Sequence, residues 1–294
     1  MACTFEKNLF EKSYMTGLPV ALVLLLVSLP ALAQQPNPGP SPQPVTRHTP
    51  QAKTQPEYAD YNAASAISGG AAMEKAANDF AAKYPDSELR SLLYSKAMHN
   101  YQAENNPAKM LAMGEKVLAY DPDNPVALVL TATALSDNLT DNDPDRATKM
   151  AAIQKNASRA LQTIDSTFVP PAGATPEQIK GYKDTLRSMA HSAIGIMRLK
   201  DKDDARAEAE LKLSADLLTA APDPYVWYHL ALAQDHQGKY ADALASVQKA
   251  LNYTNANPEL GKLAAGERDR LVLLTRQETP AGQQPPANSS QPPR

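Results

Sequence analysis

The residues able to do chemistry are few, and their spacing offers them little to do together. The chain carries five histidines: His48, His99, His191, His229 and His236. A zinc site needs three or four nitrogen, sulfur or carboxylate ligands converging on one point. His229 and His236 lie two helical turns apart and can share a face, yet no third ligand with metal-like spacing accompanies them. Asp141, Asp143 and Asp145 begin like a calcium loop. Arg146 then stands where the sharp turn requires glycine, and Ala152 where a bidentate glutamate belongs. Asp201-Lys202-Asp203-Asp204 departs from that pattern in the same way and reads as a solvated turn. There is no G-x-S-x-G elbow, no phosphate-binding G-x-x-x-x-G-K-[ST] loop and no H-E-x-x-H pair. Paired carboxylates fall on helix faces expected to be exposed, where nothing raises a pKa. The sequence predicts no catalytic, metal or cofactor residues and a protein that is not an enzyme.

What the chain does carry is elements made to pack. From Pro224 to Pro258 it reads as two short amphipathic helices folded back on each other. Trp227, Leu230, Ala231 and Gln234 recur at three- and four-residue intervals and share one face. Asp223-Pro224 is a helix start: a capping acceptor, then a residue whose missing N–H costs nothing there. Gly238 interrupts the pattern, as a tight turn would. Tyr240, Ala243, Leu244, Val247, Ala250 and Leu251 then resume the 3.6-residue period. Small Ala243 and Ala250 let the helices approach, while Trp227 and Tyr240 fill the space beside them. A hairpin of this size cannot bury its own apolar face, so it implies neighbours of the same kind.

In this order of residues the stretch resembles a tetratricopeptide repeat, W-x2-L-G-x2-Y…A-x3-F…P. Trp227, Leu230, Ala243 and Ala250 match. Ala231 stands for the glycine, Gln234 for the tyrosine, Val247 for the phenylalanine, and the closing proline arrives late as Pro258. Other segments repeat the theme. Ser91 to Asn124 offers Tyr94, Ala97, Met98 and Tyr101, then Leu111, Gly114, Val117 and Leu118. A copy from about Ser188 has Ile194 and Gly195, then Ala207, Leu211, Ser214 and Ala215, and ends at Pro222, 36 residues before Pro258. A copy from Pro125 keeps Leu128, Ala132 and Leu135, then inserts SDNLTDNDPDR before a partner helix over about Ala147 to Ile164. Tyr58 to Tyr84 reads as a degenerate hairpin broken at Gly69-Gly70. The Thr175-Pro176-Glu177-Gln178 capping box opens a helix predicted to reach Lys200, some three turns beyond what a repeat requires. Leu260, Leu263, Ala264, Leu271 and Leu274 form one stripe of a closing cap. The resemblance spans residues 57–276 and implies an all-α, right-handed superhelical solenoid of tandem antiparallel helix pairs.

Composition agrees with helices. The chain is 43% hydrophobic but only 6% aromatic, and no alternating β-branched run suggests a sheet. A net charge of −3 speaks against a nucleic-acid partner, which calls for a basic stripe. Residues 1–33 read as a signal peptide: Leu18 to Leu29 is almost wholly apolar, and Ala31-Leu32-Ala33 is a small-residue cleavage site before Gln34. Counted to Ala33, that run has 16 residues, short of the ~20 of a membrane span. An uncleaved anchor through residues 18–33 is the alternative, and Met15 is an alternative start. The single cysteine, Cys3, lies in the removed segment. A bacterial periplasmic or envelope location follows. Residues 34–56 and 277–294 hold seven and five of the 25 prolines and are poor in large apolar residues, so they are expected to be disordered Pro/Gln-rich tethers.

With no chemistry in view, binding is the expected task. The resemblance implies a concave wall built from first helices, opposite the packing residues. Carried onto this sequence, that wall comprises His99 and Gln102, Val129 and Thr133, Ser192 and Ile196, then Tyr225, Tyr228, Leu232, Asp235 and His236. Tyr225 and Tyr228, three apart, are expected to form an exposed aromatic platform or, for Tyr228, to pack on the cap. The family's carboxylate-clamp subtype needs lysines and asparagines here. The matching places are mostly serine, threonine and apolar, so capture of an acidic tail is not expected. The function expected is a non-enzymatic protein–protein scaffold or adaptor in the envelope, docking a partner peptide or helix in the groove. The alternatives are a membrane-anchored structural or assembly component and an accessory subunit of an envelope complex.

Overall fold

The computed structural model describes residues 50–278. The leader and most of both Pro/Gln-rich segments lie outside the described residues. Within them the chain forms eleven α-helices, one 3-10 turn at Thr254–Ala256 and no strand. The helices are α1 Gln55–Ser65, α2 Gly70–Lys83, α3 Arg90–Ala103, α4 Pro107–Tyr120, α5 Pro125–Asp137 and α6 Arg146–Thr167. They continue as α7 Pro176–Lys200, α8 Asp204–Leu217, α9 Pro224–His236, α10 Tyr240–Leu251 and α11 Pro258–Glu278. Helices pack pairwise in chain order, α3 with α4, α5 with α6, α7 with α8 and α9 with α10, and each pair leans on the next. This is a TPR-like solenoid of antiparallel helix pairs.

Local chemistry sets the starts. The side chains of Thr54, Asn106, Asn124, Thr175 and Asp223 each accept from a backbone N–H in the first turn, and a proline occupies the first or second helical position every time. Those oxygens satisfy donors that have no intrahelical partner. The Thr175–Gln178 capping box is present in both directions, at 3.3 and 2.9 Å, and α7 ends at Lys200 as the sequence predicts. One boundary moves. The tether expected to extend to residue 56 gives way to helix at Gln55, because Thr54 caps Glu57 N–H while the Glu57 carboxylate accepts from Lys53 N–H at 2.7 Å.

The hairpin turns share a backbone that their sequences conceal. Asn105, Lys202 and Gly238 all adopt positive φ, at 55°, 61° and 74°. In each turn the following N–H bonds the carbonyl five residues back: Asn106 to Tyr101, Asp203 to Arg198 and Lys239 to Gln234, at 2.9, 2.9 and 3.0 Å. This Schellman-type closure reverses the chain within three residues.

The core is a row of four clusters rather than one centre. Met73, Leu93, Met98 and Met113 fill the first, Ile153, Ile164 and Met197 the second, Leu211 and Leu230 with Ile196 the third, and Val247 with Leu271 the fourth. Each cluster joins one hairpin to the next, so stability is shared between neighbours. Close approach depends on small residues. A Cβ on Gly195 would stand 2.7 Å from Leu211 Cγ, where α7 meets α8. Of the expected packing positions, Tyr94, Ala97, Tyr101, Gly195, Ala207, Leu230, Ala231, Ala243, Val247 and Ala250 are buried. Trp227 and Tyr240 are half-buried and pack beside the third and fourth clusters, and the Lys249 ammonium lies over the Trp227 indole, 4.1 Å from the ring centroid.

Candidate functional site

The expected wall residues sort into two groups. His99 is exposed, Gln102 is half-buried, and His99 Nδ1 lies 3.3 Å from Gln102 Oε1. Protein mass gathers round this imidazole although solvent still reaches it, and the resulting loss of hydration lowers its pKa against the opposing hydrogen bond from Gln102. Thr133, Tyr228, Leu232 and Asp235 are half-buried and His236 is exposed. Val129, Ser192, Ile196 and Tyr225 are buried, contrary to the expectation of an open wall. The cause is helix length and winding. With α6 and α7 at 22 and 25 residues, α5 packs against α7 and α7 against α9, so wall positions become helix–helix contacts. Val129 joins the second core cluster and Ile196 the third.

The aromatic platform does not form as expected. Tyr225 is 5% exposed, its hydroxyl accepts from Asn257 Nδ2 at 2.8 Å, and its ring stacks on His229 at 6.3 Å between centroids. Burial, with the nearby charges of Asp223 and Asp137, pushes the phenol up to about 12. Tyr228 packs beside the last cluster and meets His229 edge-on. Asp235 and His236 are tied into the scaffold, Asp235 by an ion pair with Arg270 of the cap and His236 through Asp204 at 2.9 Å.

Two of the wall stripes run one turn further than the sequence reading took them, and there they meet. Val129, Thr133 and Asp137 lie four apart along α5, as Ser192, Ile196 and Lys200 do along α7. Lys200 Nζ reaches across to the carbonyls of Ser136 and Asp137, at 2.8 and 2.7 Å. An ammonium at a helix C-terminus satisfies orphan carbonyls and meets the negative end of the dipole. The start of α9 faces the same place: Asp223, whose Oδ1 caps Tyr225 N–H at 2.8 Å, and His229, buried with Nδ1 donating to the Tyr225 carbonyl at 2.9 Å. Burial drives the His229 pKa down to about 4, so the ring is neutral at pH 7.

Asp137 is the anomalous member. It is 9% exposed, and its Oδ1 has no hydrogen-bond partner; nor has the buried Thr133 Oγ1, one turn back on the same face. Burial raises the carboxyl to about 7, the Lys200 charge opposing and the Asp223 charge adding. Continuing the four-residue stripes through Thr133 and Ile196 would have reached Asp137 and Lys200. The involvement of Asp223 depends on how α7, packed against both α5 and α9, brings the start of α9 towards the end of α5, and no local signal announces it. An open recess lined by Pro50, Tyr58, Tyr61 and Leu92 lies at the N-terminal end and shares no residue with this cluster. Among the described residues no group of three or more histidines, cysteines or carboxylates is arranged to hold a metal.

Fold and wall together define a TPR-like helical-repeat protein. No protein-family model and no curated protein matches the chain. Among solved structures it is similar to a chain described as "MamA RS-1 ArsTM double mutant", at 16% identity over 64% of this chain and 95% of that one, with a TM-score of 0.38. The fold assignment rests on the helix pairing above and not on that similarity.

Proposed function

We propose that this protein is a non-enzymatic scaffold or adaptor of the bacterial cell envelope, which docks an extended segment or short helix of a partner protein along the inner faces of α3, α5, α7 and α9. The observation that carries the reading is a stack of helix pairs whose inner stripes hold accessible and half-buried side chains of mixed character, from His99 and Gln102 through Thr133 to Tyr228 and Leu232. Such solenoids present long surfaces and few pockets, and half-buried aromatic and aliphatic side chains are the usual anchors of interfaces. Export is supported by the leader-like sequence of residues 1–33.

A photocrosslinking amino acid at Leu232, compared with one at the exposed Leu213 of α8, tests the binding face. Reproducible partner adducts from position 232 and none from 213 support the groove; adducts from 213 alone would place the interface elsewhere. N-terminal sequencing of the protein recovered from envelope fractions tests the rest. A start at Gln34 supports a released, exported form. A retained leader would favour a membrane-anchored assembly component.

A further inference from the structure

We propose, resting on the docking reading above, that the place where α5, α7 and α9 meet is a pocket for a basic residue of the bound segment, with the Asp137 carboxylate and the Thr133 hydroxyl as its acceptors. The two acceptors stand one turn apart on one face of α5, each with a buried oxygen that bonds nothing. Burying a carboxylate without a partner is costly, and a wholly structural role would be served better by an apolar side chain. Lys200 does not discharge that debt through hydrogen bonding. Its Nζ donates to the backbone carbonyls of Ser136 and Asp137, and the Asp137 Oδ1 is left without a hydrogen-bond partner.

The charge balance selects the ligand. Among the described residues, Asp137 feels the Lys200 ammonium and the Asp223 carboxylate, and His229 beside them is kept neutral by burial. An arriving lysine or arginine finds two unpaired acceptors, and its own charge favours the ionised form of the Asp137 carboxyl. A glutamate or aspartate brings a charge that neither acceptor compensates. An amide finds hydrogen bonds without the charge. Charge-assisted hydrogen bonds in a water-poor site are the stronger kind, so the pocket discriminates in the order basic, amide, acidic.

The test uses the mature full chain and fluorescein-labelled degenerate peptides of about nine residues, identical except for a fixed central Lys, Arg, Gln, norleucine or Glu, read by fluorescence polarisation. The expectation is binding about tenfold tighter for Lys and Arg than for Gln, with Glu weakest, as one charge-assisted hydrogen bond provides. Asp137→Asn should erase the basic preference while leaving the Gln mixture bound as before. Its melting temperature should equal or exceed that of the parent, which separates lost recognition from lost folding. Thr133→Val, matched in shape, should lower the preference several-fold. Binding of all mixtures without a basic preference, or a preference that survives Asp137→Asn, overturns the pocket and leaves the groove standing. Failure of every mixture to bind overturns both.

Discussion

Glu208 and Lys239 lie 2.6 Å apart, joining α8 of one hairpin to the turn of the next. Glu208 is 5% exposed and is also held by Lys212 at 2.6 Å, Gln237 at 3.0 Å and Gln234 at 3.4 Å. Gln234 in turn accepts from Ser246 of α10 at 2.7 Å. A carboxylate so placed is a polar rivet between repeats.

That rivet gives the protein an acid-sensitive joint. Burial raises the Glu208 pKa, but the donors Lys212, Lys239, Gln237 and Gln234 outweigh it and bring it down to about 2. A depressed carboxyl pKa stabilises the fold above the unfolded value near 4.5, and the benefit is lost as pH falls from there towards 2. At neutral pH it amounts to about 3 kcal/mol. Thermal melts of the parent and Glu208→Gln from pH 6 to pH 2 should converge across that window. Parallel curves would show that the rivet does not act through its charge.

Asp137 should act with the opposite sign. Its raised pKa means that the folded chain holds a proton the unfolded chain has lost, so stability declines as pH rises from about 4 to about 7. Asp137→Asn is expected to melt above the parent at pH 8, with the gap closing towards pH 4. A gap that is constant with pH would mean that the carboxyl is already ionised throughout.

Two glycines on α7 make a controlled contrast. A Cβ at Gly195 meets Leu211 Cγ at 2.7 Å and the Leu211 backbone nitrogen at 3.3 Å, whereas one at Gly181 meets nothing within 4 Å. Gly195→Ala should cost about 1–3 kcal/mol of overpacking, less the ~1 kcal/mol that alanine returns in helix propensity. Gly181→Ala should keep the whole return. Melts moving in opposite directions, by about 2–4 °C for each kcal/mol, are the expected outcome.

Lys202 occupies a left-handed position that glycine fills at Gly238. Lys202→Gly should therefore stabilise the chain by about 0.5–1 kcal/mol, since the penalty on Cβ in that conformation exceeds the extra entropy of glycine. Gly238→Ala should destabilise by a similar amount. Chemical denaturation of both variants checks the pair. A loss at Lys202→Gly would mean that its side chain contributes more than its backbone costs.

The amino-acid order by itself determined the hairpins, their starts and the long α7. Each of these follows from contacts within about four residues: Thr175 with Gln178, Asp223 with Tyr225, the apolar stripe of Ala243, Val247 and Ala250. It also carried the alternation of first and second helices, because only stacking buries such stripes. Tertiary structure decided which stripes stay open. Val129, Ile196 and Tyr225 occupy the same register as Thr133 and Leu232 and are indistinguishable from them in period, yet they are buried where one first helix leans on the next. The same winding brings Asp137, Lys200 and Asp223 together from three hairpins. Asn105, Lys202 and Gly238 share one backbone state despite their unlike side chains, through the closure within each turn. Periodicity fixes the face a residue occupies along its own helix. What covers that face depends on the crossing of helices distant in sequence, and that is set by the summed packing of small residues such as Gly195 against Leu211.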